Sequence, residues 1–148
     1  MAEFSHLDEH GRARMVDVGH KPVSHRSALA EGAVQCAPAT IAALRDRTLP
    51  KGDVLTVAKI AGIQAAKDTD RLIPLCHSLP LDGVDVRFTL REDSVGIEAE
   101  AQTQARTGVE MEALTAVCVA ALTIYDMCKA VDKGMTIQGV RLVRKTKS

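Results

Sequence analysis

The chain of 148 residues is 46% hydrophobic and 26% charged, the proportions of one globular domain with a core of its own. Its 19 Lys and Arg balance 19 Asp and Glu, so no global field draws it to nucleic acid or to an anionic membrane. With no Trp, one Tyr and two Phe it lacks stacking platforms for single-stranded nucleic acid or a flavin, and its core must be aliphatic.

Residues 1–14 are polar, unlike a signal peptide, and are expected to form a flexible end. No eighteen apolar residues run together anywhere, so the expected location is cytoplasmic. His6 and His10 have the helical spacing of a metal pair but no third ligand near them. Residues 10–26 then gather His10, Arg12, Arg14, His20, Lys21, His25 and Arg26 against Asp17 alone, a local basic cluster on a neutral chain. The four cysteines show no close C-x-x-C pairing and read as reduced, packed thiols.

Residues 28–36 read as a strand and 38–46, behind Pro38, as a short helix. Val54, Val57, Ala58, Ala61 and Ala65 recur at helical spacing behind Asp53, so a helix is expected over roughly 53–70 with Asp53 as its N-cap. LIPLCHSLPL at 72–81 is stiffened by Pro74 and Pro80. Val84, Val86, Phe88 and Leu90 alternate with polar residues, as do Val95, Ile97, Ala99 and Ala101, which gives an antiparallel hairpin. From Gly108 to Lys133 the sequence is rich in Ala, Leu, Met and Glu, and one helix of about 24 residues and about 36 Å is expected. Residues 136–143 close the series as a strand, with 145–148 a loose basic end.

Leaving the short helix aside, the order is β-α-β-β-α-β: one domain over 1–148 with a ferredoxin-like α+β fold, two long helices on one face of a four-stranded antiparallel sheet. The other face has no cover within the chain, and Ala99 and Ala101 are expected to lie on it. Self-association is the physical remedy, and a long helix apolar around most of its circumference points the same way.

Several polar residues stand out against this frame. Asp126, Lys129 and Lys133 share a stripe at the end of the long helix, where spacing alone reads first as a surface ion pair with cations suited to the dipole. If Leu122, Ile124, Tyr125 and Cys128 are buried, desolvation draws the Asp126 and Lys129 pKa values toward neutrality against their mutual attraction, which favours proton exchange. Glu110 and Glu112 read first as dipole partners in the first turn. Glu112 and Asp126 are separated by about 21 Å of helical rise, so one extended ligand spans both, or each end serves a site completed by another subunit. His77 reads as a core histidine or a proton carrier on a pocket wall, and Lys51 before a helix N-terminus as a weak anion site. Nothing places a base and an oxyanion site around Cys76, which excludes a nucleophilic cysteine.

MVDV at 15–18, KGDV at 51–54, AKIAGIQAAK at 58–67, LIPLCH at 72–77, TGVEMEALTA at 107–116 and ALTIYDMCKAV at 121–131 together closely resemble the cyclic pyranopterin monophosphate synthase family of molybdenum cofactor biosynthesis. The resemblance covers nearly the whole chain. It implies a ferredoxin-like fold and a homohexamer, a trimer of dimers with active sites between subunits. It also implies a lyase that converts 3′,8-cyclo-7,8-dihydro-GTP to cyclic pyranopterin monophosphate and diphosphate. By the same resemblance Asp126, Lys129 and Lys51 are catalytic, while Leu75, Cys76, His77, Met111 and Glu112 contact substrate. Lys21, Arg26 and Lys67 match positions suited to phosphate. No resident metal or electron-carrying cofactor is implied, though Mg2+ could accompany the triphosphate. Ser78 departs from the family, which usually has Pro there. The alternative is a noncatalytic, oligomeric nucleotide-binding or metabolite-sensing module, since the fold alone does not decide function.

Overall fold

Twelve residues, Ser24–Gln35, form the first strand, β1, on which the sheet is assembled. The computed structural model describes residues 4–148. Behind β1, Pro38 sits in the first turn of α1 (Pro38–Asp46), where a missing N–H is no loss. The second helix, α2 (Val54–Lys67), starts at Asp53, whose carboxylate accepts from the Thr56 N–H at 3.3 Å and from the Thr56 hydroxyl at 2.7 Å. A single turn, α3 (Thr69–Leu72), leads to β2 (Leu81–Leu90) and β3 (Ser94–Ala105). The long helix α4 (Glu110–Cys128) and β4 (Thr136–Lys147) complete the chain.

The strands lie in the order β2-β3-β1-β4, every neighbouring pair antiparallel, with α2 and α4 packed on one face. This is the expected ferredoxin-like arrangement, with α1 and α3 added between β1 and β2. Alternation decides the layers. Ala28, Ala30 and Val34 of β1 face the helices beside Ala101, Ala99 and Val95 of β3, all buried with Val117, Ala120, Ala121 and Ile124 of α4. Small residues let the helices approach closely: a Cβ at Gly62 of α2 would stand 3.0 Å from the Ala116 carbonyl oxygen of α4. Although α4 has the length and mean hydropathy, 1.5, of a membrane span, its apolar residues largely serve this core.

Four expectations are corrected. Ala99 and Ala101 are 0% exposed beneath the helices, because their register opposite Ala30 and Ala28 turns them inward. The uncovered face instead carries charge, with Arg141 on Glu31 at 2.6 Å and Arg144 on Glu100 at 3.3 Å. The long helix ends at Cys128 rather than near Lys133, because the Val131 and Asp132 N–H groups both turn back to the Cys128 carbonyl. Lys133 therefore leaves the stripe of Asp126 and Lys129. The second helix likewise stops at Lys67, where the Asp68 N–H closes on the Gln64 and Ala65 carbonyls. The last strand also extends beyond 136–143: β4 runs through Lys147, with Ser148 and His25 exchanging both backbone hydrogen bonds. At the other end, residues 1–3 lie outside the described residues, while 4–14 make a turn tied by a Leu7–Ala13 bridge and by Asp8, which accepts from the His10 and Arg12 N–H groups.

Candidate active site

The last turn of α4 presents Asp126 outward, and the loop between α1 and α2 brings Lys51 to meet it. Gly52, with φ +91°, allows the backbone to reverse beside that lysine, in a region where a Cβ would be strained. Lys51 Nζ donates to Asp126 Oδ2 at 3.2 Å and to the Asp126 carbonyl at 3.3 Å, while Lys129 Nζ donates to Oδ1 at 2.8 Å. Two amines thus hold one carboxylate. Hydrogen bonding from Lys129, then from Lys51, keeps the Asp126 carboxyl below its usual range, and Asp126 in turn raises the Lys129 ammonium.

This overturns the expectation that burial draws the two toward neutrality. Ile124 and Cys128 are buried, but Leu122 is 57% and Tyr125 36% exposed, and Asp126 and Lys129 share that outward side. Within one protomer, mutual attraction decides both shifts because water still reaches the groups.

A cavity of about 610 Å³ opens at the opposite end of α4. Its walls include Val16, Lys21, Leu75, Cys76, His77 and Met111, so the stiff 72–81 segment, the stretch before β1 and the start of α4 converge there. His77 Nε2 is hydrogen-bonded to the Val16 carbonyl, which ties the N-terminal stretch to the cavity wall. Burial pushes the Cys76 thiol up to about 11, so it stays protonated at neutral pH and is no nucleophile.

Next to this cavity, sharing Lys21, Thr107, Gly108 and Glu110 with it, lies a second of about 340 Å³ lined also by Arg26, Lys145 and Lys147. The pairing of β1 with β4 sets Lys147 opposite Arg26 and Lys145 opposite Ala28, which puts the tail cations on the Arg26 side of the sheet. The Arg26 Nε–H is buried without a partner among the described residues. Val109, the N-cap of α4, supplies no side-chain cap, so the positive end of the helix dipole also lies at this pocket. The arrangement suits a phosphate chain whose organic part lies in the larger cavity.

A MoaC family profile matches residues 15–148. The chain belongs to the MoaC family. It is 58% identical over 147 residues to a cyclic pyranopterin monophosphate synthase of Thermomicrobium roseum, a match covering 98% of this chain and 89% of that one. Against the cyclic pyranopterin monophosphate synthase of Peptoclostridium acidaminophilum the identity is 55% over 144 residues, covering 97% and 92%. A molybdenum cofactor biosynthesis bifunctional protein of Chlorobaculum tepidum is 60% identical over 144 residues, but the chain spans only 46% of that longer relative.

This MoaC-family chain therefore carries different side-chain sets at the two ends of α4. Asp126, Lys129 and Lys51 meet at one end, while Lys21, Arg26, Leu75, Cys76, His77 and Met111 meet at the other. Lys67 joins neither: it is exposed at the end of α2 and lines neither cavity. Glu112 departs furthest from its first reading as a dipole partner in the first turn. It is 3% exposed, and neither carboxyl oxygen has a hydrogen-bond partner among the described residues. Burial, aided by the negative charges of Glu110 and Asp70, pushes its carboxyl up to about 7. Lys145 and Lys147, read from the sequence only as part of a basic end, reach the pocket through the strand pairing of the tail. Among the described residues no group of three or more His, Cys, Asp and Glu side chains could hold a metal ion.

Proposed function

We propose that this protein is a cyclic pyranopterin monophosphate synthase, converting 3′,8-cyclo-7,8-dihydro-GTP to cyclic pyranopterin monophosphate with release of diphosphate. The observation that carries the reading is the Lys51–Asp126–Lys129 arrangement, a carboxylate bonded to two amines. Rebuilding the dihydropurine moves protons repeatedly among neighbouring nitrogens and oxygens. Asp126 and its two amines form a chain along which such protons pass. The cyclic phosphate closes as the α-phosphorus exchanges its bond to the leaving diphosphate oxygen for one to an oxygen of the same molecule. Lys21, Arg26, Lys145 and Lys147 stabilise the charge on that leaving group, and any Mg2+ arrives with the triphosphate.

The distance between the two ends of α4 supports a site shared between protomers over a single ligand stretched along the helix. In this reading the protein is a homohexamer, a trimer of dimers, in which the Lys51–Asp126–Lys129 end of one protomer faces the cavity of another. Val57, Ile60, Leu72 and Leu122 support the association, being 44%, 62%, 56% and 57% exposed and apolar. Closing such a seam would remove water from Asp126 and the two amines that hold it, which strengthens their mutual contacts. A metabolite-sensing module has no use for a carboxylate pressed against a polyanion, so catalysis is the better reading.

Incubation with 3′,8-cyclo-7,8-dihydro-GTP followed by mass spectrometry of the product tests the activity. Recovery of unchanged substrate with the assembled protein would refute it, and sedimentation as a fully active monomer would refute the shared site.

A further inference from the structure

The first turn of α1 has no cap of its own. Ala37, its N-cap residue, offers no side-chain hydrogen bond, and the turn has no acidic residue. The missing acceptor comes from the far end of the chain. Asp132, four residues beyond α4, accepts from the Ala37 N–H at 2.9 Å and from the Thr40 hydroxyl at 2.8 Å through Oδ2. Its Oδ1 accepts from the Gly134 N–H at 3.0 Å, which fixes the carboxylate in the turn after α4.

At its other end α1 stops on Arg47, in the left-handed region at φ 56°, with the Thr48 N–H closing on the Ala43 carbonyl. Leu49, 6% exposed, then seats the loop in the core, and Lys51 reaches Asp126. The contacts close a ring: the end of α4 to Asp132, Asp132 to α1, α1 to the Lys51 loop, and Lys51 back to α4. The Lys51 contacts, 3.2 and 3.3 Å, are near the limit of a hydrogen bond, so a displacement of about an ångström in α1 loses both.

We infer that Asp132 is a positioning residue for Lys51, a remote cap on α1 that holds the lysine loop in register with Asp126. The inference rests on Lys51, Asp126 and Lys129 being the proton-transfer residues, but the contact geometry stands apart from that reading. The three donors, the Ala37 N–H foremost, keep the Asp132 carboxyl below its usual range, so the cap is charged whenever the protein is near neutral pH. Its packed neighbours Cys36 and Cys128 are pushed up to about 11 by burial and remain neutral thiols. Neither thiol therefore places a second negative charge beside the cap, and backbone N–H and hydroxyl donors are what satisfy it.

The test is a 13C NMR titration of the Asp126 carboxyl in the full chain, run beside steady-state kinetics. Asp132→Ala should raise the Asp126 pKa toward its value in Lys51→Ala and lower kcat about tenfold or more, with KM little changed. Asp132→Asn, which keeps the oxygen facing Ala37, should restore both toward the parent. Combined with Lys51→Ala, Asp132→Ala should add nothing to either readout, whereas a residue acting only on general stability would add its own loss. An unchanged Asp126 pKa in folded Asp132→Ala overturns the inference. If that variant does not fold, Thr40→Val decides, since it should raise the pKa less but in the same direction, and no rise overturns the inference. Failure of the parent to make product would sink the functional reading while leaving the titration to judge the clamp.

Discussion

Lys51 and Asp126, 75 residues apart in the chain, share an ion pair of 3.2 Å that joins the loop before α2 to the last turn of α4. Their meeting combines local turns with tertiary packing. Gly52 turns the loop, Leu49 seats it, and the packing of α2 on α4 brings the two elements together.

Replacing Lys51, Asp126 or Lys129 singly by Ala should lower product formation by about a hundredfold or more, the scale of losing a positioned acid or base. Their side chains are 46%, 56% and 57% exposed, so the fold should survive each change. Circular dichroism with product analysis by mass spectrometry checks this. A variant turning over at the parental rate removes its residue from the mechanism.

Arg26→Ala and Lys147→Ala should each lower kcat/KM about tenfold, the loss of one charge-assisted contact to the departing diphosphate. Inorganic diphosphate should inhibit both variants less than the parent. Equal inhibition would separate the basic pocket from the leaving group.

Glu112 predicts a pH dependence of stability with a definite sign. Its carboxyl is raised on folding from 4.5 to about 7, so as pH climbs the unfolded chain ionises first. The residue's contribution is complete below pH 4.5 and is lost progressively as pH rises to about 7. Urea unfolding of Glu112→Gln across that interval should lose this part of the slope seen in the parent; identical slopes would mean that Glu112 ionises in the folded protein as it does in water.

The contact between α2 and α4 leaves no room at Gly62. A Cβ there would meet the Ala116 carbonyl at 3.0 Å and Val86 Cγ2 at 3.1 Å. Gly62→Ala should therefore destabilise the protein by about 1–3 kcal/mol despite the better helix propensity of Ala. Denaturant titration giving equal or greater stability would show that the helices separate easily.

The strands and helices were legible because the signals are local: alternation in 82–101, and Asp53 beside Thr56 at a helix start. The end of α4 was not, since no Pro or Gly interrupts residues 129–133 and the stop is a backbone turn onto Cys128. The burial of Glu112 was hidden because an acid in a first turn is ordinarily solvated, and only tertiary packing turns it inward. Asp126 and Lys129 could be paired from their spacing, but Lys51 came to them only through family resemblance, because no periodicity reports a contact across 75 residues. The inward register of Ala99 and Ala101 needed the partner strand as well as the alternation of their own.

β4 lies at the margin of the sheet, with β1 on one side and, among the described residues, no strand on the other. Along this twelve-residue strand the backbone donors and acceptors that point away from β1 form a template onto which another molecule could zip. Lys145 and Lys147 make that zipping repulsive, so the tail that shapes an anion pocket also guards against fibrous aggregation. Neutralising those side chains to relax ligand choice would expose a sticky ribbon, and solubility would fall together with affinity.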